Sequence, residues 1–426
     1  MHLVLVSSLL PVANPTSGFD IANRAVLDGL VALGHRVSVI GFRSPEHEVA
    51  PGGEMHLLGE LEVANARVGA ATKLRWLSQA VLHRTTVSSA KMLRADRDTV
   101  ETLLRRLQPF DGIVLNSVQL PGAFASSFQK HPTIYVAHNV EAQSALENAR
   151  TAAGTFERLL FRREARHLAR IETSLARHAA AVWTFAKADR YGFGAEVVER
   201  ARVLPLVTRW TLDDAPAVRD VAYDLALIGT WSWKPNRIGL DWFLNKVVPL
   251  LPSDMSIAIA GQLPEPPAIS HPGVRLLGRV ADARAFVEAG AVVPLISRGG
   301  TGVQLKTIET FELGMPSVAT QASLRGIGAL PANCGVADDP LEFARLLQEK
   351  LSRARSGDRQ RLSGSAFHQA QKAALLSAME EGLAVLARPV TSLGLVVSRG
   401  REVSAGAKKV AAANFGFAVH EGGNSR

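Results

Sequence analysis

The 426 residues are enough for two α/β domains. The composition, with 47% hydrophobic and 20% charged residues, excludes a disordered protein. A single cysteine, Cys334, excludes a disulfide framework and a cysteine-based zinc site, and it favours a reducing, cytoplasmic setting. The net charge of +9 is spread over amphipathic helices without zinc-finger spacing or an RNA-binding aromatic motif, so we expect no nucleic-acid partner. An anionic membrane surface or a diphosphate-bearing substrate suits this charge, and a merely basic soluble protein is the alternative.

The first half of the sequence alternates short apolar runs with helical patterns, which is typical of a parallel α/β domain. The apolar start reads as a strand, because no basic segment precedes it as it would in an export signal. No apolar run approaches the roughly 18 residues of a membrane span. Strands are predicted at residues 3–6, 36–41, 112–116, 133–137 and 180–184, and helices at 20–33 and 156–177.

A polar, proline-containing stretch at residues 209–222 predicts a linker between two domains. A second α/β series follows it, with strands predicted at residues 225–229, 256–261, 274–277, 291–295 and 316–319. We therefore predict two Rossmann-like, doubly wound parallel-sheet domains, at residues 1–208 and 223–368. A helix at residues 369–390 is expected to return toward the first domain, and residues 391–426 form a basic tail expected to be largely disordered.

The segment from residue 294 to residue 320 carries the strongest functional signal. Gly299, Gly300 and Gly302 lie in a loop between a predicted strand and a predicted helix, where glycine lets the backbone approach a ligand closely. Amide groups at a helix start favour phosphate, and Lys306 adds positive charge there. Glu309, further along the helix, has a carboxylate that can accept hydrogen bonds from two ribose hydroxyls. The alternative is a glycine-rich turn without a ligand.

The sequence of this segment, GGTGVQLKTIETFELGMPSVAT, resembles the retaining glycosyltransferases of family 4. Their pattern is G-G-T-x-x-x-K-x-x-E followed by G-x-P-V-V-A-T, and their fold, GT-B, has two Rossmann-like domains facing a central cleft. The resemblance implies that Glu309 holds the donor ribose, that Lys306 serves the phosphates, and that loop 299–302 faces the donor sugar and diphosphate. It extends over residues 1–350 and is most specific over residues 225–320.

One position departs from the family pattern. The family carries two glutamates eight residues apart, of which the first contacts the donor sugar, and Thr301 stands at that first position. The sugar contact must then come from a hydroxyl or from the backbone. The identity of the donor and retention at the anomeric carbon are therefore left open.

A second match begins the C-terminal half, where LIGTWSWKPNR at residues 227–237 resembles the family pattern G-x-x-x-W-x-P-N. Its loop lies where the family binds the donor diphosphate, so the resemblance implies that Lys234 or Arg237 neutralises phosphate charge. The alternative is an exposed basic pair beside a turn. No D-x-D, the signature of metal-dependent sugar transfer, occurs in the two matched segments at residues 227–237 and 294–320, so we expect lysine, arginine and helix amides to bind the diphosphate without an obligatory metal or other cofactor.

The N-terminal half contributes two further candidates. Gly18 directly precedes a helix, in a loop that resembles the family's loop between donor and acceptor, and the absence of G-x-G-x-x-G argues against a dinucleotide. His138, in HNVE after a predicted strand, occupies the ligand crevice of a parallel sheet. The resemblance implies that it hydrogen-bonds a donor hydroxyl or guides the acceptor proton, and a buried structural histidine is the alternative. Glu141, Asp338 and Asp339 are interpreted as helix caps.

The expected function is transfer of a sugar from a nucleoside diphosphate sugar to a glycan or lipid-linked acceptor, in the synthesis of a cell-surface polysaccharide. Residues 72–84 predict a basic amphipathic helix, which lies either on an anionic membrane at its cytoplasmic face or against the protein core. A sugar-nucleotide epimerase of the same shape and an inactive scaffold or sugar-nucleotide sensor are the alternatives. The sequence leaves the sugar, the base, the acceptor and the oligomeric state undetermined.

Overall fold

The structure is a computed structural model that describes residues 1–45, 47–63, 67–152, 154–212, 221–263, 265–267, 269–357 and 361–387. All of these residues belong to one compact unit. The predicted tail at residues 391–426 and residues 213–220 of the predicted linker lie outside the described residues.

The first half of the chain forms a sheet of seven parallel strands, β1 (His2–Leu9), β2 (Arg36–Arg43), β3 (Glu54–Glu60), β4 (Gly112–Asn116), β5 (Thr133–Ala137), β6 (Ala181–Thr184) and β7 (Ala201–Val203). Their order across the sheet is β3-β2-β1-β4-β5-β6-β7. Strands β4 and β5 are buried along their whole length, because helices cover both faces of a parallel sheet. The order reverses between β1 and β4, which opens a crevice at the carboxyl ends of these two strands.

The helices of the first half connect these strands. They are α1 (Gly18–Ala32), α2 (Ala70–Leu82), α3 (Val87–Met92), α4 (Arg97–Leu107), α5 (Gln119–Ala123), α6 (Ala125–Phe128), α7 (Glu141–Thr151), α8 (Thr155–His178) and α9 (Ala195–Val198), with a 3-10 segment at Lys187–Phe193. Helix α1 begins at a capping box, in which Ser17 and Asp20 each accept a hydrogen bond from the other's backbone N–H. This cap fixes where the chain turns into the helix, directly beside the crevice.

The second half forms a sheet of six parallel strands, β8 (Tyr223–Ile228), β9 (Ile257–Ala260), β10 (Val274–Gly278), β11 (Gly290–Leu295), β12 (Ser317–Ala319) and β13 (Cys334–Val336). Their order is β10-β9-β8-β11-β12-β13, so this sheet reverses between β8 and β11. Its helices are α10 (Lys234–Trp242), α11 (Ala283–Glu288), α12 (Leu305–Glu312), α13 (Pro340–Arg355) and α14 (Ser365–Leu383). Within the described residues, no helix is long and apolar enough to cross a membrane.

The prediction of two doubly wound parallel sheets is confirmed, and each strand predicted from an apolar run is present. Strand β3 was not predicted. It lies at the edge of its sheet, where it pairs only with β2 and none of its residues is buried. Such a strand needs no continuous apolar run, so its sequence lacks the signal that identifies the central strands.

Helix α14 connects the second half back to the first. Its residues Leu375, Met379 and Leu383 share one hydrophobic cluster with Leu3 and Leu5 of β1. The helix begins at Ser365, four residues before the predicted start. Because this cluster also contains residues of α12, the packing of α14 supports the element that carries the predicted donor site.

Gly382 in α14 provides a test of this packing. A Cβ at this position would lie 2.2 Å from Nε1 of the fully buried Trp183, so Gly382→Ala forces the helix or the indole to move. We expect the free energy of unfolding to fall by about 1–3 kcal/mol, although alanine is the better helix former. Urea denaturation measures this change, and Gln369→Ala on the exposed side of the same helix is the control, expected within about 0.5 kcal/mol of the wild type. Equal stability of the Gly382→Ala variant would contradict the close contact.

Candidate functional site

The loops that follow β5 and β11 meet in the cleft between the two sheets. The loop between β11 and α12, residues 296–304, is called the glycine loop below. A Cβ on Gly302 would lie 3.4 Å from both the backbone oxygen of His138 and the Cβ of Asn139. A Cβ on Gly18 would lie 3.2 Å from Cδ1 of Leu305 at the start of α12. Three predicted site residues, one from each of three distant segments, therefore converge at one place.

The His138 ring is enclosed by three side chains. Its Nε2 lies 2.8 Å from Oδ1 of Asn116, and the rings of Phe19 and Phe185 have centroids 5.3 and 5.1 Å from the imidazole centroid. Burial among these groups disfavours the imidazolium ion and lowers the pKa of His138 to about 4. His138 is therefore neutral at pH 7, where it can exchange hydrogen bonds with a ligand but is a weak proton acceptor.

The glycine loop has a backbone that only glycine adopts readily. Gly300 and Gly302 have φ angles of +96° and +76°, in the left-handed region. The Arg325 guanidinium donates to the carbonyl oxygens of Gly299 and Gly302 at 2.9 and 3.1 Å. From the first half of the chain, the buried Asp189 lies close enough for the Gly302 N–H and the Arg325 charge to lower the pKa of its carboxyl group. Arg325 therefore holds the loop by two hydrogen bonds, and the opposite charge of Asp189 from the first half lies near Arg325.

Asp189 and Arg325 were not predicted as site residues. Asp189 lies in the 3-10 segment Lys187–Phe193, and Arg325 follows the 3-10 segment Gln321–Leu324, so only folding brings them to the glycine loop. Burial raises the pKa of Asp189 to about 6, although the N–H of Gly302 and the charge of Arg325 oppose this shift. Asp189 and Arg325 are far apart in the sequence, so their proximity leaves no local sequence pattern.

Thr301, at the family's first glutamate position, contacts the opposite half of the protein. Its Oγ1 lies 2.9 Å from Oγ of Ser144 in α7, and either hydroxyl can donate. The two hydroxyls join the tip of the glycine loop to the helix that follows His138. A neutral pair therefore stands where the family pattern has a carboxylate.

Helix α12 places Lys306 and Glu309 on the wall of a narrow cavity of about 50 Å³ at the carboxyl ends of β8 and β11. The Lys306 ammonium lies 5.2 Å from the ring centroid of Trp231, whose indole N–H donates to the Ala260 carbonyl at 2.8 Å. Burial lowers the pKa of Lys306 to about 8, and the nearby Glu309 carboxylate opposes this shift. An anionic ligand at Lys306 would favour the charged form of the ammonium group.

Glu309 lies partly open to the cleft, with about a third of its side chain exposed. Burial raises the pKa of Glu309, and the positive charge of Arg209 opposes this rise from 4.0 Å away. Arg209 belongs to the segment that joins the two halves, within the predicted linker, and it was not predicted as a site residue. The linker therefore contributes charge to the site as well as covalent connection.

Lys234 and Arg237 are both engaged with other protein groups. The Lys234 ammonium donates to the Thr151 carbonyl at the end of α7, at 3.2 Å, and so joins the two halves. Arg237 donates to the Asp241 carboxylate and to the Glu265 carbonyl, each at 2.8 Å. Neither side chain lines the cavity of Lys306 and Glu309, whereas Asn236 between them does. Their role toward the diphosphate stays a prediction.

The three acidic residues interpreted as caps have different roles. Asp339 is the N-cap of α13 and accepts two backbone N–H groups at 3.0 Å, whereas Asp338 pairs with Arg298 at 3.4 Å. The interpretation of Glu141 was wrong, because its own N–H and the next one are capped by the buried Glu172 carboxylate, at 2.8 and 3.0 Å. Burial raises the pKa of Glu172 to about 8. Residue 172 lies in α8, so no pattern near residue 141 reveals it.

The lowered pKa of His138 predicts a dependence of stability on pH. Unfolded histidine has a pKa near 6.5, so between about pH 6.5 and pH 4 the unfolded chain binds a proton that the folded protein excludes. The contribution of His138 to the free energy of unfolding is complete above pH 6.5 and is lost as the pH falls toward 4. In His138→Gln the amide still donates to Asn116 but does not titrate, so stability should fall less with acid. Urea denaturation at pH 7.5 and 4.5 measures the difference.

The exposed His83→Gln is the control for removing a histidine from the chain. Carboxylates that titrate in the same range are common to all three proteins and cancel in the comparison. Parallel pH profiles for the wild type and His138→Gln would contradict the low pKa of the enclosed ring.

Residues 222–352 match the family model described as Glycosyl transferases group 1. The match begins just before β8 and ends within α13, so it contains the glycine loop, Lys306 and Glu309. No curated protein sequence matches the chain.

Several solved structures have a similar fold at low sequence identity. Sucrose-phosphate synthase from Thermosynechococcus elongatus is 14% identical with a TM-score of 0.58, over 90% of this chain and 99% of that one. WaaG, a glycosyltransferase involved in lipopolysaccharide biosynthesis, is 13% identical with a TM-score of 0.52, over 90% and 99% of the two chains. Anabaena Alr3699/HepE, in complex with UDP and glucose, is 14% identical with a TM-score of 0.53, over 90% and 100%. This chain therefore carries a glycosyl transferases group 1 domain within a GT-B fold, the domain and the fold of a glycosyltransferase.

Proposed function

We propose that the protein transfers a sugar from a nucleoside diphosphate sugar to an acceptor hydroxyl in the cleft between its two halves. The observation that carries this proposal is the contact of the glycine loop with the loop of His138. The backbone oxygen of His138 lies 3.4 Å from the position of a Cβ on Gly302. The loop and α12 supply backbone amides, Lys306 and Glu309 from one side, and His138 stands on the other. The glycosyl transferases group 1 match over residues 222–352 supports the same reaction class.

The donor is proposed to lie along the glycine loop. Gly299 to Gly302 present their backbone to the diphosphate and the sugar, as the resemblance to family 4 implies, and Lys306 adds a positive charge. The Glu309 carboxylate, which keeps part of its surface open to the cleft, accepts hydrogen bonds from the ribose hydroxyls. Lys234 and Arg237 would reach the diphosphate only after leaving the carbonyl and carboxylate partners that they have now.

Stabilisation of the departing diphosphate is the main catalytic contribution of this arrangement. Negative charge builds up on the bridging oxygen as the sugar leaves, and fixed amides with a buried ammonium group favour that charge without reorganisation. No metal ion or other cofactor is part of the proposal. Closure of the two halves around both substrates would exclude water and align the acceptor hydroxyl.

We propose membership of family 4 and retention at the anomeric carbon on the strength of the sequence resemblance. Thr301 takes the place of the first family glutamate, so the sugar contact there comes from a hydroxyl or from the loop backbone. His138, neutral at pH 7, contributes a hydrogen bond to the sugar and leaves the acceptor proton to another group. The proposed biological role is synthesis of a cell-surface polysaccharide.

The acceptor is proposed to occupy a cavity of about 430 Å³ at the carboxyl end of the first sheet. Phe19 lines this cavity and also packs against His138, so the cavity adjoins the proposed site of transfer. Its lining combines hydroxyl and charged groups that suit a glycan: Ser8, Ser17, Ser44, Glu62 and Lys91.

The donor site is tested by thermal denaturation of the purified protein with UDP, GDP, ADP and their common sugars. A nucleotide at 100 times its Kd stabilises the folded protein by about 2.7 kcal/mol and raises the Tm. We expect a rise that is selective for one base, and we expect Glu309→Gln to abolish it because the neutral amide is a weaker partner for the ribose hydroxyls. Glu342→Gln, an exposed position in α13, is the control and should behave as the wild type.

Turnover with the selected donor separates the proposed reaction from its alternatives. A glycosyltransferase releases nucleotide in the presence of an acceptor, an epimerase converts the donor without one, and a sensor binds without turnover. If no nucleotide raises the Tm of the wild-type protein, the proposed donor site is wrong.

Helix α2 supports a proposal about where the protein works. Only Trp76 and Ala80 of this helix are buried, whereas Leu74 and Leu82 are 67% and 76% exposed. The helix contains basic residues and no acidic residue. A core contact limited to two side chains does not account for the apolar residues, so we propose that α2 lies on an anionic membrane, as a peripheral protein at the cytoplasmic face.

The start of α8 extends this surface. The Arg163 side chain donates to the Ala80 carbonyl at 2.7 Å, which places α8 against the end of α2. Phe156 and Leu159, two turns and one turn before Arg163, are also exposed. The combined surface would bring the acceptor cavity close to a lipid-linked substrate.

Vesicle sedimentation tests the membrane surface. We expect the wild type to sediment with vesicles in which about one third of the lipid is phosphatidylglycerol, and much less with vesicles of pure phosphatidylcholine. Added salt should weaken the binding. The double variant Leu74→Ser and Leu82→Ser should lose roughly tenfold in affinity, because each leucine loses the free energy of burial in the bilayer. Leu341→Ser, at an equally exposed leucine in α13, is the control. A wild-type protein that stays in solution with both vesicles would contradict the proposal.

A further inference from the structure

A chain of hydrogen bonds runs through the first half and ends on His138. The Leu9 carbonyl, at the end of β1, accepts from Nδ2 of Asn23 at 2.8 Å. Oδ1 of Asn23 accepts from Nδ2 of Asn116 at 2.8 Å, and Oδ1 of Asn116 lies 2.8 Å from Nε2 of His138. Both asparagine side chains are fully buried, so water does not substitute for any of these partners.

The chemistry of the chain fixes its direction. The Leu9 carbonyl only accepts, so the amide of Asn23 must present its NH₂ group there and its oxygen to Asn116. That oxygen in turn requires the NH₂ group of Asn116, which leaves the oxygen of Asn116 facing His138. Nε2 of His138 must therefore carry a hydrogen. No other set of amide orientations satisfies the chain, because every reversal leaves two donors or two acceptors facing each other in a buried place.

We infer that Asn116 is a positioning residue, which holds neutral His138 as the tautomer with hydrogen on Nε2 and keeps the lone pair on Nδ1. In the part of the chain that the structure describes, Nδ1 has no hydrogen-bond partner. Nδ1 is the nitrogen that accepts a hydrogen bond from a hydroxyl of the bound sugar. This last step rests on the proposed function, whereas the tautomer rests on the hydrogen bonds alone.

Asn23 also contributes to the control of the tautomer, because it fixes the orientation of the Asn116 amide. Without it, the Asn116 amide is free to rotate by half a turn and to present its NH₂ group to Nε2, which stabilises the opposite tautomer. Phe19 and Phe185 restrict the tilt of the imidazole but do not distinguish its two nitrogens. The tautomer therefore depends on the amides, and the orientation of the ring depends on both.

The tautomer is measured directly on the full-length wild-type protein labelled with ¹⁵N-histidine. Two-bond ¹H–¹⁵N spectra distinguish a protonated nitrogen from one with a lone pair, and the signals of His138 are those missing from His138→Gln. At pH 7 we expect hydrogen on Nε2 and a lone pair on Nδ1. The opposite tautomer, or an even mixture, would overturn the inference. This spectrum requires no substrate, so it decides the tautomer even if a variant fails to fold or the protein proves inactive.

Asn116→Ala and Asn23→Ala test the positioning role. In both variants we expect the His138 signals to move toward a mixture of tautomers, and kcat to fall roughly 10- to 100-fold with little change in the KM of the donor. Asn333→Ala is the matched control, because Asn333 is also buried and donates to the Gly314 carbonyl at 2.9 Å, in the second half of the chain. This control should change neither the tautomer nor kcat.

The two proposals fail in different ways. If the wild type shows no transfer with any donor but has hydrogen on Nε2, the proposed function fails and the positioning by Asn116 stands. If the wild type transfers sugar and Asn116→Ala keeps both the wild-type tautomer and the wild-type kcat, the inference is wrong and the proposed function stands.

Discussion

The close approach of the glycine loop to the loop after β5, where a Cβ on Gly302 would lie 3.4 Å from the His138 carbonyl oxygen, brings the crevices of the two halves together. Each sheet has its own crevice where its strand order reverses. The crevice of the first half contains His138, and that of the second half contains the glycine loop with Lys306 and Glu309. Arg325 donates to the carbonyls of Gly299 and Gly302, and its charge lies near that of Asp189 in the first half. Gly302 has a left-handed backbone, so a residue with a side chain at this position would cost backbone strain.

Burial sets the electrostatics of the site in a consistent direction. It lowers the pKa of His138 and Lys306 and raises that of Glu309 and Asp189, so each group moves toward its neutral form. In a buried site the effective dielectric constant is low, so a charged ligand interacts strongly with the protein groups around it. A diphosphate beside Lys306 would favour the ammonium ion, and the two charges would stabilise each other.

The sequence predicts the parts of the fold and site that depend on neighbouring residues. The central strands are apolar over their length, and the glycines of the glycine loop, Lys306 and Glu309 lie close together in one segment of the sequence. What could not be predicted depends on distant pairings: the exposed edge strand β3, the loop partners Asp189 and Arg325, and the Glu172 cap of α7. Asn116 is the clearest case, since it ends a predicted strand yet acquires its role only from Asn23 and His138. Basic residues such as Arg237 were predicted to bind phosphate from their charge and their place in the family pattern. The sequence does not reveal that Arg237 already pairs with a carboxylate of the protein.

The substitution of threonine at position 301 is understandable from this arrangement. A glutamate there would add a carboxylate next to Gly302 and near Asp189, in surroundings where burial makes negative charge costly. The hydroxyl of Thr301 instead bonds to Ser144 and links the two halves without adding charge. Under the proposed function, recognition of the sugar would pass to neutral groups, among them the neutral His138 with a defined nitrogen toward the sugar. The buried amides of Asn23 and Asn116, which orient the histidine, would then matter more because position 301 offers the sugar no charged contact.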